Sequence, residues 1–87
     1  MNIDLLRRLC ETPGVSSREE RVRALIESEV EGLFDEVRTD ALGSLICPRA
    51  PRRAPRGGAE RPPRVMLLGH MDEIGFLVSH IDDKGFI

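Results

Sequence analysis

His70 and Asp72, within Gly69-His70-Met71-Asp72-Glu73-Ile74-Gly75, are the residues of this chain whose types and spacing best suit chemistry. A neutral imidazole can bind a metal through one ring nitrogen while a carboxylate orients it through the other. The pair follows the apolar run Val65-Met66-Leu67-Leu68, which is short, aliphatic and preceded by Pro63-Arg64. That run reads as a buried strand rather than a helix. Side chains alternate along a strand, so His70 and Asp72 are expected on one side of its C-terminal end. Open α/β sheets place their ligands at that end. An isolated histidine there is nevertheless more often a hydrogen-bonded structural residue than a ligand, and the surroundings must decide.

Other candidates are weaker. Glu73 could act as a general base, but strand alternation turns it away from His70 and Asp72. His80 falls on a different expected strand and reads as an ordinary polar position. Asp82-Asp83 precedes Lys84-Gly85 and reads as turn chemistry rather than a metal site. Cys10 and Cys47 lack C-x-x-C spacing and a neighbouring histidine, so neither reads as a catalytic thiol.

The elements that must position the pair follow from periodicity. Leu5, Leu6, Leu9 and Cys10 share one helical face, and Thr12-Pro13-Gly14 stops that helix. Ser17 and Glu20 fit a capping box for a second helix. Its stripe is Val22, Leu25, Ile26, Val30 and Leu33, with Gly32 fraying the end. A short strand around Val37, a turn at Ala41-Leu42-Gly43 and a strand at Ser44–Cys47 are expected to form a hairpin. Residues 75–81 read as another strand, and Asp82-Asp83-Lys84-Gly85 as a tight turn into a partner strand at Phe86-Ile87. The chain stops two residues into that strand, which reads as an interrupted protein.

Composition bounds the rest. Eighty-seven residues with three Phe, no Trp and no Tyr make one small domain or part of a larger one. A chain this short buries only about 60% of its unfolded surface. Two cysteines in so small a chain fit a reducing compartment better than a disulfide framework. Met1-Asn2-Ile3-Asp4 lacks a signal-peptide pattern and no apolar stretch reaches membrane length, so a soluble, cytoplasmic protein is expected. Net charge is −2, yet residues 48–64 hold six Arg against the single acid Glu60, leaving −7 elsewhere. Residues 48–63 also hold five of the six prolines and read as a mobile, solvated loop. Without interleaved aromatics or helical periodicity, that loop is not expected to bind nucleic acid or a membrane.

Read in order, Pro13-Gly14-Val15-Ser16, Arg18-Glu19-Glu20, Asp35-Glu36-Val37, Gly43, Val65-Met66-Leu67, His70 to Gly75 and Ile81 to Phe86 form one specific set. The set closely resembles the start of the dimetal aminopeptidases of the glutamyl and tetrahedral (TET) aminopeptidase type, some of which have been labelled endoglucanases. It covers nearly the whole chain except residues 48–63. The resemblance implies an α/β fold: the N-terminal part of a dimetal-peptidase sheet with flanking helices, plus the opening hairpin of a β-rich inserted domain used in assembly. Residues 1–73 would belong to the catalytic domain and residues 74–87 would begin the insert.

The implied activity is removal of N-terminal residues from peptides by a cytosolic hydrolase with two divalent metals, zinc or cobalt. The substrate would be a peptide and the intact family forms homo-oligomers. His70 matches the family's first metal-ligand histidine, and Asp72 the aspartate with a catalytic or ligand-orienting role. Ser17 stands where the family often has Gly, and the loop 48–63 is longer and more basic than usual. The resemblance places the bridging aspartate, the Glu-Glu pair with the general base, a further acidic ligand and a last histidine past position 87. The chain alone is therefore expected to be inactive and to bind at most one metal, weakly. The alternatives are a related dimetal carboxypeptidase or deacylase, which also uses His-x-Asp, and a non-enzymatic interaction module pairing through residues 74–87 or the basic loop.

Overall fold

Asn2 starts the chain's first helix. Its side-chain oxygen accepts the Leu5 N–H at 3.1 Å, satisfying a donor that a helix N-terminus leaves free. The computed structural model describes residues 2–53, 57 and 61–87, and within them α1 spans Ile3–Glu11. Thr12 ends it, with its backbone N–H and its hydroxyl both donating to the Arg8 carbonyl, at 3.1 and 2.6 Å. A second helix, α2, spans Glu20–Glu29. Arg8 reaches Glu29 at 2.6 Å and ties the two helices together.

The capping box does not form. Ser17 takes a left-handed conformation, φ +69°, away from the extended backbone usual at an N-cap. Glu19 occupies the N-cap position without a side-chain cap, and its carboxylate instead accepts the Ser17 N–H at 2.5 Å. The reason lies in the turn just before. Arg18 N–H donates to the Val15 carbonyl at 2.8 Å, closing a turn whose third residue is the left-handed Ser17.

The expected hairpin is present. Strand β1 (Arg38–Thr39) pairs antiparallel with β2 (Leu45–Ile46), with Arg38 opposite Ile46 and Thr39 opposite Leu45. Asp40 organises the connection: its carboxylate accepts the N–H groups of Leu42 and Ser44 at 2.9 and 2.8 Å. Gly43 sits at φ +88°, a conformation open to glycine at no steric cost. Arg23 of α2 donates to the Gly43 carbonyl at 2.9 Å, docking the hairpin on the helix.

Residues 65–68 and 75–81 carry no strand, contrary to the periodicity reading. Backbone pairing stabilises a strand, and among the described residues these segments find no neighbour to pair with. They run as exposed chain: Leu67 is 91% exposed and Phe76 95%. Phe86-Ile87 likewise forms no strand, although the turn before it does form. Asp82 Oδ1 accepts the Lys84 and Phe86 N–H groups, each at 2.9 Å, and Gly85 takes φ +85°. Asp82 is thus occupied by backbone donors, as expected of turn chemistry.

Val22 is the one buried apolar side chain among the described residues. The Cα radius of gyration is 18.9 Å, against about 12 Å expected for a compact chain of this length. The principal extents are 72 × 29 × 17 Å. Among the described residues no helix is long and apolar enough to cross a membrane. The basic segment begins with a fixed anchor, since Asp35 accepts from Ala50 N–H and Arg52 Nη2, both at 2.6 Å. The reading of 48–63 as a mobile loop falls partly on residues 54–56 and 58–60, outside those described.

Candidate functional site

The loop after α1 and the His70 segment meet. Glu73 N–H donates to the Gly14 carbonyl at 2.8 Å, and Glu73 Oε1 accepts the Gly14 N–H at 3.2 Å. Val15 and Glu73 form a parallel β-bridge. Gly14 is required at this crossing, because a Cβ there would stand 2.9 Å from Val22 Cγ1 and 3.2 Å from the Met71 carbonyl. Glu73 is therefore used in holding backbone. Its carboxylate is engaged by the Gly14 amide, although Glu73 lines the same cleft as His70 and Asp72.

His70 and Asp72 come together. His70 Nδ1 lies 3.0 Å from the Asp72 carbonyl oxygen and 3.2 Å from Asp72 Oδ1. A backbone carbonyl can only accept, so Nδ1 carries the proton in this arrangement. In the neutral ring the lone pair then sits on Nε2, the form in which histidine binds a metal. The His70 side chain is 86% exposed and the Asp72 side chain 41%. The pairing arises without a strand, as a local contact across two residues.

Asp72 has a second partner. Ser16 Oγ donates to Asp72 Oδ2 at 3.0 Å, from 56 residues away in sequence. This bond, aided by the Asp72 backbone and the His70 ring, holds the Asp72 carboxyl below the usual carboxylate range, against the opposing effect of partial desolvation. Ser16, His70, Asp72, Glu73, Ile74 and Gly75 line an open cleft of about 450 Å³. Ser16 as a side-chain partner of Asp72 escapes the periodicity reading. Its one sequence signal is the ordered stretch Pro13-Gly14-Val15-Ser16.

As a metal centre the set is incomplete. Among the described residues no three His, Cys, Asp or Glu side chains stand together so as to hold an ion. His70 Nε2 fits one ligand position, and the remaining positions are not filled by these residues. His80 is exposed and lines a separate surface depression with Phe76 and Asp82. Cys10 and Cys47 are free thiols.

Residues 53–87, which include His70 and Asp72, match the family model for M42 glutamyl aminopeptidase. Over that stretch the chain is similar to the M42 aminopeptidases. It is 41% identical over 87 residues, its full length, to the FrvX protein of Escherichia coli (strain K12), covering 22% of that relative. It is 36% identical over 85 residues to a lysyl aminopeptidase of Pyrococcus furiosus, 97% of this chain and 22% of the relative. A glutamyl aminopeptidase of Lactococcus lactis subsp. cremoris is 32% identical over 82 residues, 94% of this chain and 21% of the relative. The chain thus spans about a fifth of the length of these curated relatives. No solved structure matches it.

Proposed function

We propose that the chain supplies one metal ligand and its orienting carboxylate to an aminopeptidase that removes N-terminal residues from peptides. The observation that carries this is the His70–Asp72 contact, in which Asp72 holds the Nδ1 proton and leaves Nε2 free to bind. Support also comes from relatives named for lysyl and glutamyl aminopeptidase activity. Those names favour an aminopeptidase over the related carboxypeptidases and deacylases. Two divalent ions, zinc or cobalt, would supply Lewis-acid polarisation of the peptide carbonyl when bound. His70 would be a ligand to one of them, and Asp72 would fix the ring's tautomer and orientation. On this reading residues 1–73 belong to a cytoplasmic α/β catalytic domain and residues 74–87 to an inserted β-rich domain used in homo-oligomer assembly.

The test is a graft. Residues 1–87 replace the matching segment of the Pyrococcus furiosus lysyl aminopeptidase, and peptide hydrolysis is followed with zinc and with cobalt. The graft is expected to be active. His70→Ala should abolish its activity and reduce bound metal, while Asp72→Asn should lower kcat/KM by about 10–100-fold. A folded, active graft whose rate ignores His70→Ala would sink the reading.

A second reading rests on the exposed apolar residues Ile74, Phe76, Leu77 and Val78, which could pair with another sheet edge. Size-exclusion chromatography decides it, since a monodisperse monomer at high concentration would end the interaction-module idea.

A further inference from the structure

We infer that Ser16 is a positioning residue for the proposed metal-ligand pair, acting on His70 through the Asp72 carboxylate. The inference rests on the functional reading above but is tested apart from it.

The geometry forms a three-residue chain. Ser16 Oγ donates to Asp72 Oδ2 at 3.0 Å, and the other oxygen, Oδ1, stands 3.2 Å from His70 Nδ1. A carboxylate held at one oxygen only can rotate about its side-chain torsions, and a terminal sp³–sp² torsion has a broad well. A hydroxyl on Oδ2 removes that freedom and aims Oδ1 at the imidazole. Both Asp72 oxygens are then engaged, and the Nδ1 proton has two acceptors on one residue, the carbonyl at 3.0 Å and Oδ1.

Ser16 is itself held in place. The Val15–Glu73 bridge and the two Gly14–Glu73 hydrogen bonds lock its loop against the His70 segment. The turn from Val15 to Arg18, with Ser17 left-handed, fixes the backbone on its other side. The Ser16 hydroxyl thus reaches Asp72 from a braced backbone. Its effect on the site is indirect: it restricts the carboxylate, which selects the tautomer, which keeps Nε2 available.

The experiment is nitrogen NMR of the 87-residue chain without metal, which reads the protonation of the two His70 ring nitrogens directly. Hydrogen exchange at the Glu73 amide monitors the bridge. In the wild type the Nδ1–H form is expected to dominate. Ser16→Ala should shift the tautomer ratio by about threefold toward Nε2–H with the Glu73 amide still protected, as expected on losing one hydrogen bond. Ser16→Thr should restore it.

A ratio unmoved by Ser16→Ala, while Asp72→Asn does move it, overturns the role of Ser16 and leaves the functional reading standing. A ratio unmoved by both variants shows that the Asp72 backbone carbonyl, not its carboxylate, sets the tautomer, and overturns the inference. Loss of Glu73 protection in Ser16→Ala assigns the effect to the loop rather than the hydroxyl, and also overturns the inference. An unprotected Glu73 amide in the wild type does the same.

Discussion

Gly14 and Glu73 hold each other by two hydrogen bonds, one through the Glu73 backbone and one through its carboxylate, from 59 residues apart. The carboxylate sits next to His70 and Asp72 in sequence, where a general base would be sought, yet it is used on a glycine amide. Glu73→Gln keeps an acceptor for that amide and should leave Gly14 protected in hydrogen exchange. Glu73→Ala removes the acceptor and should lower protection severalfold. In the active graft the same Glu73→Gln should leave kcat within about threefold, since a true general base contributes roughly 10²–10⁴-fold. A loss in that larger range would restore Glu73 as a catalytic candidate.

Gly75 passes so close to Val15 that a Cβ would meet Val15 Cγ1 at 3.0 Å and Cβ at 3.2 Å, with Cγ2 nearer still. Val15 is β-branched and stiff at χ1, so it cannot swing clear. Gly75→Ala should weaken the Val15–Glu73 bridge by about 1–3 kcal/mol, the usual cost of overpacking. At the Glu73 amide this reads as a loss of protection of about 5- to 150-fold. Val15→Ala combined with Gly75→Ala should recover most of it. A methyl group on Gly69 would meet nothing within 4 Å, so Gly69→Ala serves as the neutral control.

Ser17 sits at φ +69°, where a residue with a Cβ is strained by about 1–2 kcal/mol relative to glycine. Glycine loses more chain entropy on folding, about 0.5–1 kcal/mol, which offsets part of the gain. Ser17→Gly should therefore be neutral to stabilising by up to about 1.5 kcal/mol, measured by urea titration of helical circular dichroism. Ser17→Pro should unfold the turn, because proline cannot adopt positive φ. A Ser17→Gly variant that loses stability would show the Ser17 side chain to be needed.

Much of this local structure is legible in the residues. Asp40 and Gly43 between two apolar stretches announce the hairpin, and Thr12-Pro13-Gly14 announces the end of α1, because these signals act over a few residues. Ser17 misleads because serine before an acidic pair suggests a cap, and only the Val15–Arg18 turn shows its backbone to be left-handed. Val65–Leu68 misleads because strand periodicity states a preference that pairing partners must fulfil. His70 and Asp72 do meet, but by a contact between near neighbours and not by strand alternation. Ser16 lies 56 residues from Asp72, and no local pattern reports a contact of that range.

Asp35 ties the start of the basic segment to the turn after α2. The Ala50 N–H, then the Arg52 guanidinium, hold its carboxyl below the usual range, against a smaller opposing effect of burial. A carboxyl with a depressed folded-state pKa stabilises the fold above its unfolded value, about pH 4, and loses that contribution as pH falls through the folded value. Protection of the Ala50 amide should accordingly persist at neutral pH and fall only in acid. Asp35→Asn should lower it at about pH 7 and flatten the acid dependence. Added salt should weaken the Arg52 contact more than the Ala50 bond, since both side chains of the ion pair are accessible. Protection that rises as pH falls would contradict the assigned cause.

The 87 residues acting alone should not hydrolyse peptides. A catalytic zinc site takes about three protein ligands and keeps one position open. His70 Nε2 offers one, and among the described residues no cluster of three His, Cys, Asp or Glu exists to supply the others. Asp72 is committed to Ser16 and His70, and Glu73 to Gly14. The His70 side chain is 86% exposed, so water competes freely at any ion it holds. Zinc titrated into the chain should bind weakly, with the His70 resonances shifting first and with no tight step. His70→Ala should remove that response, and Asp72→Asn should weaken it. Release of amino acids from a peptide amide should stay at the buffer rate with zinc or cobalt present. Metal-dependent release that disappears in His70→Ala would refute this, and would mean that one imidazole and the chain around it can assemble a working centre.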